Sequence, residues 1–371
     1  FKSGSVTAVE SFVVRSTVEL FVTTDCCGDG AGFAVPHMEH TVINEVSLIN
    51  VQIGHAHSPV VVAMVAPPPL LLLLLKWKLF EKRAVWPEKY ASLYSAVSPN
   101  PSLPQDEITV IMVGHATLLI QMGGLNILTD PVYSERVSPF DYIGPKRHNS
   151  PGILFEALPT IDVILVTHNH YDHLDLKTLR KLVTRDNPKI YTPLGNDTII
   201  QASIETADIQ IGDWGDEFKH DSEFKIHFEP CQHWSARGTS DRRMALWSAF
   251  VLESGSHKVY YIGDTGFGKG NNYREVAKKH GGFDLAILPI GAYKPRWFMK
   301  PSHQNPREAV TGLKLCKARY GLGHHWGTFQ LTNEKIDAPQ KALAVALKNQ
   351  KFPHEKFTAL HPGQLWELPS V

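Results

Sequence analysis

His168-Asn169-His170-Tyr171-Asp172-His173 places four ligand-type side chains in six residues, and it reads as half of a two-metal site. It directly follows Val163-Ile164-Leu165-Val166, a short apolar run rich in β-branched residues. Such a run reads as a buried strand, which puts the histidines and the aspartate on a tight loop at a strand end. A polar turn with solvated histidines would account for a single His pair, but the complete HxHxDH pattern after a buried strand points to metal.

Bulk properties narrow the function without choosing it. The chain has 371 residues, enough for one large domain or two smaller ones. Lysine plus arginine and aspartate plus glutamate number 37 each, and the pI is near 7.4. No nucleic-acid partner is expected from that balance, although it could hide a local basic patch. Histidine, at 19 residues, supplies many metal-type ligands. Cys26, Cys27, Cys231 and Cys316 form no CxxC pair, so disulfides are not expected to hold the fold, and the redox compartment stays open.

Residues 1–97 differ in texture from the rest and read as an N-terminal extension of undetermined structure. Weak strand-like runs such as Val18 to Thr23 occur there without recognisable chemistry. Its most apolar stretch, residues 60–75, holds Pro67-Pro68-Pro69 and then Leu70 to Leu75. As a helix it would span about 24 Å against a hydrocarbon core of roughly 30 Å, and three central prolines oppose a continuous helix. A spanning helix is therefore not expected. The flanking Lys76-Trp77-Lys78 and Glu81-Lys82-Arg83 suit a membrane interface, which leaves an interfacial anchor, a buried segment or an atypical signal sequence. The prolines of Ser98 to Pro104 mark a boundary, giving a second region over 98–371.

From Ile108 onward, short strands and helices alternate. Strands are expected at Ile108–Val113, Thr117–Gln121, Leu125–Thr129, Lys189–Thr192, Phe224–Phe228, Ala245–Glu253, Lys258–Ile262 and Leu285–Pro289, with Gly123-Gly124 as a hairpin turn. Helical spacing appears at Leu176, Leu179, Leu182 and Val183 behind Asp175 as N-cap, and again at Arg274–Lys279, Pro306–Cys316 and Pro339–Lys348. Mixed strands with helices outside them predict a layered α/β domain.

Three later strand ends offer the ligands that a dinuclear site needs. Gln232-His233-Trp234 follows the Phe224 strand, Gly263-Asp264-Thr265-Gly266 leaves Val259 to Ile262, and His324-His325-Trp326-Gly327 follows Tyr320 to Leu322. Adjacent side chains on extended backbone point opposite ways, so one of His324 and His325 should face the metals. A core histidine, a turn aspartate and a strand-end His pair would explain each singly; their recurrence at strand ends strengthens the set.

HxHxDH followed by His, Asp and His in this order resembles the metallo-β-lactamase fold, an αββα sandwich with two metals at one edge. Pro289 to Tyr293, Pro295 to Lys300 and His325-Trp326-Gly327-Thr328-Phe329 are similar to the N-acylphosphatidylethanolamine-hydrolysing phospholipase D family. So are Val113 to Thr117, Thr129-Asp130-Pro131, Ser138-Pro139 and Gly144 to Arg147, a likeness covering about residues 98 to 335.

The resemblance implies that His168, His170 and His233 hold one zinc ion and Asp172, His173 and His325 a second, with Asp264 bridging. Imidazole and carboxylate suit zinc, and two such ions can activate a hydroxide between them without a separate strong base. The expected reaction is phosphodiester hydrolysis of the phospholipase D type, giving N-acylethanolamine and phosphatidic acid. The unrelated histidine-nucleophile route needs HxKxxxxD, but the one HxK, His354-Glu355-Lys356, is followed by His361 where that motif has Asp. Asp264 and His303 are the candidate catalytic residues, His303 as a proton donor to the leaving group or else a capping or surface residue. Tyr171, Trp234, Trp297, Phe298, Met299 and Trp326 are candidates for a lipid-binding wall, each with core packing as the alternative. A phospholipid substrate implies a peripheral membrane surface as partner, and the family resemblance is compatible with a homodimer. Two other readings stay open: a hydrolase of the same fold acting on another phosphodiester or a lactone, and a metal-stabilised lipid-binding protein without turnover.

Overall fold

The computed structural model describes residues 20–23, 47–51, 60–64 and 69–370, the first three stretches and residues 69–71 as backbone only. Two compact units divide the chain, Phe1–Glu81 and Lys82–Val371. In the first, β1 (Leu20–Thr23), β2 (Ser47–Val51) and β3 (Val60–Met64) form an antiparallel sheet in the order β1-β3-β2, and α1 spans Pro69–Phe80. The apolar run from residue 60 is therefore split between a strand and a helix. At 12 residues, α1 is about 18 Å long, and no described helix is long and apolar enough to cross a membrane. Cys26 and Cys27 lie outside the described residues; Cys231 and Cys316 are buried free thiols.

The second unit begins upstream of the proline-rich stretch. Residues 84–97 are tied to it through Ala84 N–H to the Asn333 carbonyl, Tyr90 N–H to that of His148 and Val97 N–H to that of Gly152. Trp86 Nε1 also donates to the Glu334 carbonyl at 2.8 Å.

Its strands pair into two seven-stranded sheets. The first contains β4 (Ile108–Gly114), β5 (Thr117–Met122), β6 (Leu125–Thr129), β7 (Val163–Leu165), β8 (Lys189–Pro193) and β9 (Ile209–Gly212) in sequence order. The second contains β10 (Glu217–Lys219), β11 (Phe224–Glu229), β12 (Ala249–Ser254), β13 (His257–Tyr261), β14 (Phe283–Pro289), β15 (Ala318–His324) and β16 (Phe357–Ala359). The final strand, β17 (Leu365–Glu367), returns to pair antiparallel with β4. Both sheets are mixed: antiparallel hairpins lead into parallel strands joined by crossovers.

Alternation along each strand explains the layers. Val110 and Met112 of β4 point into a core shared with Phe224, Ile226 and Phe228 of β11 and with Leu285 and Ile287 of β14. Their neighbours Ile111 and Val113 face α2 (Leu176–Asp186) and α3 (Asn196–Gln201) on the other side. Ala286 and Leu288 of β14 face α4 (Asn271–His280), α6 (Pro306–Leu315) and α7 (Ala338–Asn349). Strands buried on both faces read as continuous apolar runs, and the result is the expected αββα sandwich. Local caps agree: Asp175 accepts from Lys177 and Thr178 N–H at the start of α2, and Asn305 with Glu308 forms a capping box on α6.

Phe250 is fully buried between the sheets, its ring 4.9 Å from that of Phe228. Phe250→Ala is expected to cost about 3–5 kcal/mol of stability, read as a lower urea midpoint.

Candidate metal centre

Chain segments leaving the C-terminal ends of β6, β7, β11, β13 and β15 meet at one rim of the sandwich. They bring Asp130, residues 167–173, His233, Asp264 and His325 together. Irregular backbone is concentrated there: His115, Asp130 and His325 have φ of 60°, 34° and 62°, values that non-glycine residues adopt only when the surroundings hold them. The His325 N–H donates to the His115 carbonyl at 2.8 Å, and the His115 N–H donates to Thr328 Oγ1 at 3.0 Å. Gly263 meets a different constraint, since a Cβ there would lie 2.3 Å from Thr167 Oγ1. Only glycine lets the strand carrying Asp264 pass so close to the β7 loop.

Hydrogen bonds on the far ring nitrogens decide which imidazole atoms face inward. The Thr167 hydroxyl donates to Asp130 Oδ2 at 2.8 Å, so its oxygen accepts from His168 Nδ1 at 2.9 Å and leaves Nε2 as the inward lone pair. His173 Nδ1 lies 2.7 Å from Asp130 Oδ2, and His233 Nδ1 donates to the Ser302 carbonyl at 2.9 Å. Nε2 of His168, His173 and His233 therefore all point into one small volume. Outer hydrogen bonds of this kind orient metal ligands.

Within that volume the sequence candidates form two overlapping groups. His168 Nε2 is 2.9 Å from His170 Nδ1, which is 3.3 Å from His233 Nε2. Asp172 Oδ2 lies 3.5 Å from His173 Nε2 and 3.4 Å from His325 Nε2. Asp264 sits between the groups: Oδ2 is 4.0, 3.4 and 3.6 Å from Nε2 of His168, His173 and His233, and Oδ1 is 3.1 Å from His325 Nε2. Ligands at about 2.0–2.1 Å from a tetrahedral zinc ion are separated by roughly 3.4 Å, which is the spacing found here. His173 Nε2, His325 Nε2 and Asp264 Oδ1 are buried without a hydrogen-bond partner. Buried polar atoms are rarely left so, and the donor set fits divalent cations. His324 turns away, its Nε2 2.7 Å from the Ile262 carbonyl oxygen, so of the His324–His325 pair His325 faces the site.

Residues 125–326 match the Beta-lactamase superfamily domain. The chain is 37% identical over 266 residues to N-acyl-phosphatidylethanolamine-hydrolyzing phospholipase D 1 of Caenorhabditis elegans, spanning 69% of this chain and 74% of that protein. The chain belongs to this phospholipase D family of the metallo-β-lactamase superfamily. A mitochondrial member from Saccharomyces cerevisiae is 36% identical over 224 residues, 60% of this chain and 48% of its own. Among solved structures, an isothiocyanate hydrolase from Delia radicum gut bacteria superposes with a TM-score of 0.55 at 18% identity, covering 70% of this chain and 98% of that one. A metallo hydrolase from Ignicoccus hospitalis gives 0.51 at 17% identity, covering 71% and 100%. Membership makes the protein a metal-dependent hydrolase.

Electrostatics separate the two groups of ligands. Burial holds His168, His170 and His233 below the ordinary imidazole range, His170 at about 3, and therefore neutral. Burial also opposes charge on His173 and His325, but Asp264 and Asp172 overcome it, lifting His173 well above its usual value and His325 to about 9. Burial alone would raise the Asp264 carboxyl; His325, with His173, keeps it well below the carboxylate range.

Two residues that reasoning from motifs left without a role are central. Asp130 accepts from Thr167 N–H and Oγ1, from His173 and from Tyr261 Oη at 2.8 Å. His115 Nε2 is 2.9 Å from Asp172 Oδ2. The usable signal for Asp130 was the one that exposed Asp264, an aspartate immediately after a buried strand.

The proposed wall residues divide. Trp234 packs edge-on against His170 with ring centres 4.4 Å apart and carries the Arg242 guanidinium 4.5 Å from its ring. Tyr171 lies under Arg237 at 3.9 Å and lines a depression of about 330 Å³. Trp297, 42% exposed, and Phe298 have ring centres 5.7 Å apart on α5 (Arg296–Met299), whose Met299 carbonyl accepts from His303 N–H at 2.8 Å. Trp326 is 4% exposed in the helix-backed core, beside a space of about 10 Å³ that holds no more than a water. Its alternation with His325 explains this inward, core-packing position.

A cation entering beside His173 and His325 must displace protons that Asp264 and Asp172 favour there. Metal affinity should therefore rise as pH increases towards 9, roughly tenfold per unit for each proton released, measured by chelator competition at two pH values. Asp130→Asn should lower metal content by freeing the His168 and His173 rings, with elemental analysis as the check and about 10–100-fold weaker binding as the expected size.

Proposed function

We propose that the protein is a zinc-dependent phosphodiesterase of the phospholipase D type that cleaves N-acylphosphatidylethanolamine to N-acylethanolamine and phosphatidic acid. The observation carrying this reading is the convergence of three oriented Nε2 lone pairs with Asp264, Asp172 and His325 in a chain related to N-acyl-phosphatidylethanolamine-hydrolyzing phospholipases. His168, His170 and His233 would hold one cation and Asp172, His173 and His325 the other, with Asp264 between them. Bound there, two divalent cations would supply a water acidic enough to act as nucleophile near neutral pH, and positive charge facing the phosphoryl oxygens.

The chain's own groups do the rest. Asp264, held ionised, fixes the separation of the two ligand groups. His115 anchors the Asp172 carboxylate from behind. His303, 8% exposed, places Nδ1 3.8 Å from Asp264 Oδ2 and has no hydrogen-bond partner at that atom. Burial holds its imidazole neutral, which suits a hydrogen bond to a phosphoryl or leaving oxygen better than outright proton donation. Arg296 steadies it by donating to the His303 carbonyl at 2.7 Å while pairing with Glu308 at 2.9 Å.

A two-tailed lipid also needs a route from a bilayer. Phe140, Tyr142 and Ile143 are 52%, 80% and 56% exposed. They lie on the segment whose Ser138, Pro139 and Asp141 line the depression beside Tyr171. Exposed aromatic and aliphatic side chains near Arg136 and Lys177 suit contact with an anionic membrane surface, and peripheral membrane association is part of this reading.

Asp264→Asn should reduce N-acylphosphatidylethanolamine hydrolysis at least 100-fold, and His303→Gln should lower kcat more than KM. Mass spectrometry of products from N-acylated, plain ethanolamine and choline phospholipids decides the substrate. Turnover of a lactone or RNA alone, or unchanged activity in Asp264→Asn, would contradict the assignment.

A further inference from the structure

Away from the metal centre, the helix-facing side of β11 and β12 carries a second set of ligand-type side chains. His227 and Glu229 alternate with the inward Ile226 and Phe228 on β11, Glu253 lies on β12, and His280 ends α4. His227, Glu229 and His280 are 5%, 4% and 7% exposed. None is shared with the rim already described.

Proton accounting shows what is missing from this cluster. His280 Nε2 is 2.9 Å from Glu229 Oε1, and Lys279 Nζ donates to that same oxygen at 2.6 Å. With the Nε2 proton committed to Glu229, Nδ1 turns its lone pair towards Glu253 Oε1 at 3.2 Å, the oxygen that Lys258 also pairs with. A proton on Nδ1 would satisfy His280 but not His227. His227 Nε2 is buried without a hydrogen-bond partner, 3.5 Å from Glu253 Oε2, while Nδ1 on its other side lies 3.6 Å from Glu217 Oε2. Each histidine thus has a carboxylate at its outer nitrogen and directs the other nitrogen at Glu253. A carboxylate behind a ligating imidazole is the usual support of a metal-binding histidine. One ligand atom from each of His227, Glu253 and His280 lies within 4.8 Å of the other two. Lys258 Nζ sits 3.3 Å from Glu253 Oε1, which leaves Oε2, facing His227, as the free oxygen.

We propose that His227, Glu253 and His280 form an additional divalent-cation site, separate from the catalytic rim. Two imidazole nitrogens and one carboxylate oxygen select a borderline cation such as zinc over magnesium or calcium, with water completing the coordination. The cation pins the last turn of α4 to β11 and β12, so its role is to hold the outer helix layer on the sheet, and it takes no part in the chemistry.

Protein saturated with zinc and then dialysed against metal-free buffer tests this by elemental analysis. Wild type should retain one equivalent more than His227→Gln or Glu253→Gln, whichever number the catalytic rim holds, and both variants should keep hydrolytic activity. Equal metal content in wild type and variants overturns the proposal. A readout that needs no variant guards against misfolding: wild-type protein with its catalytic metals in place should gain in Tm, and show a Co2+ absorption band, on adding one further equivalent of zinc or cobalt. Absence of both effects overturns the proposal equally.

Discussion

One buried carboxylate organises the functional edge of this protein. Asp130 has no solvent exposure, and a carboxyl group in that position is tolerable only because donors surround it. Those donors come from both sheets: Thr167 and His173 from the loop after β7, and Tyr261 from the opposite sheet. The same interactions that satisfy that group tie the two sheets together at the rim and turn the His168 and His173 rings inward.

Backbone strain follows from that arrangement. His115, Asp130 and His325 adopt positive φ, and each is held there by hydrogen bonds to a neighbouring loop. Such conformations survive because the two-sheet core beneath is densely packed, with Phe228, Phe250 and Tyr261 fully buried in it. The rigid sandwich provides the stability; the loops spend part of it on geometry. More exposed groups, Trp297 on α5 and Phe140, Tyr142 and Ile143, stand outside this buried shell.

Acidic and cationic groups are distributed by the same logic on the outer face. Glu229 and Glu253 are kept below the ordinary carboxylate range, against the effect of burial, by His280 together with Lys279 for Glu229 and with His227 and Lys258 for Glu253.

Much of this was legible in the residues alone. Continuous apolar runs marked strands covered on both faces, the Asp175 cap marked a helix start, and HxHxDH with His233, Asp264 and His325 marked residues that converge at one rim, because short-range periodicity and strand-end position are encoded locally. Tertiary structure alone decided what depends on residues meeting across the fold. It made Asp130 the hub of the ligand shell and put His115 behind Asp172. It sent Trp326 into the core while its neighbour His325 faced the rim, and it gathered His227, Glu253 and His280 from two strands and a helix. Each of those outcomes rests on distances between segments dozens to hundreds of residues apart, which no local pattern specifies.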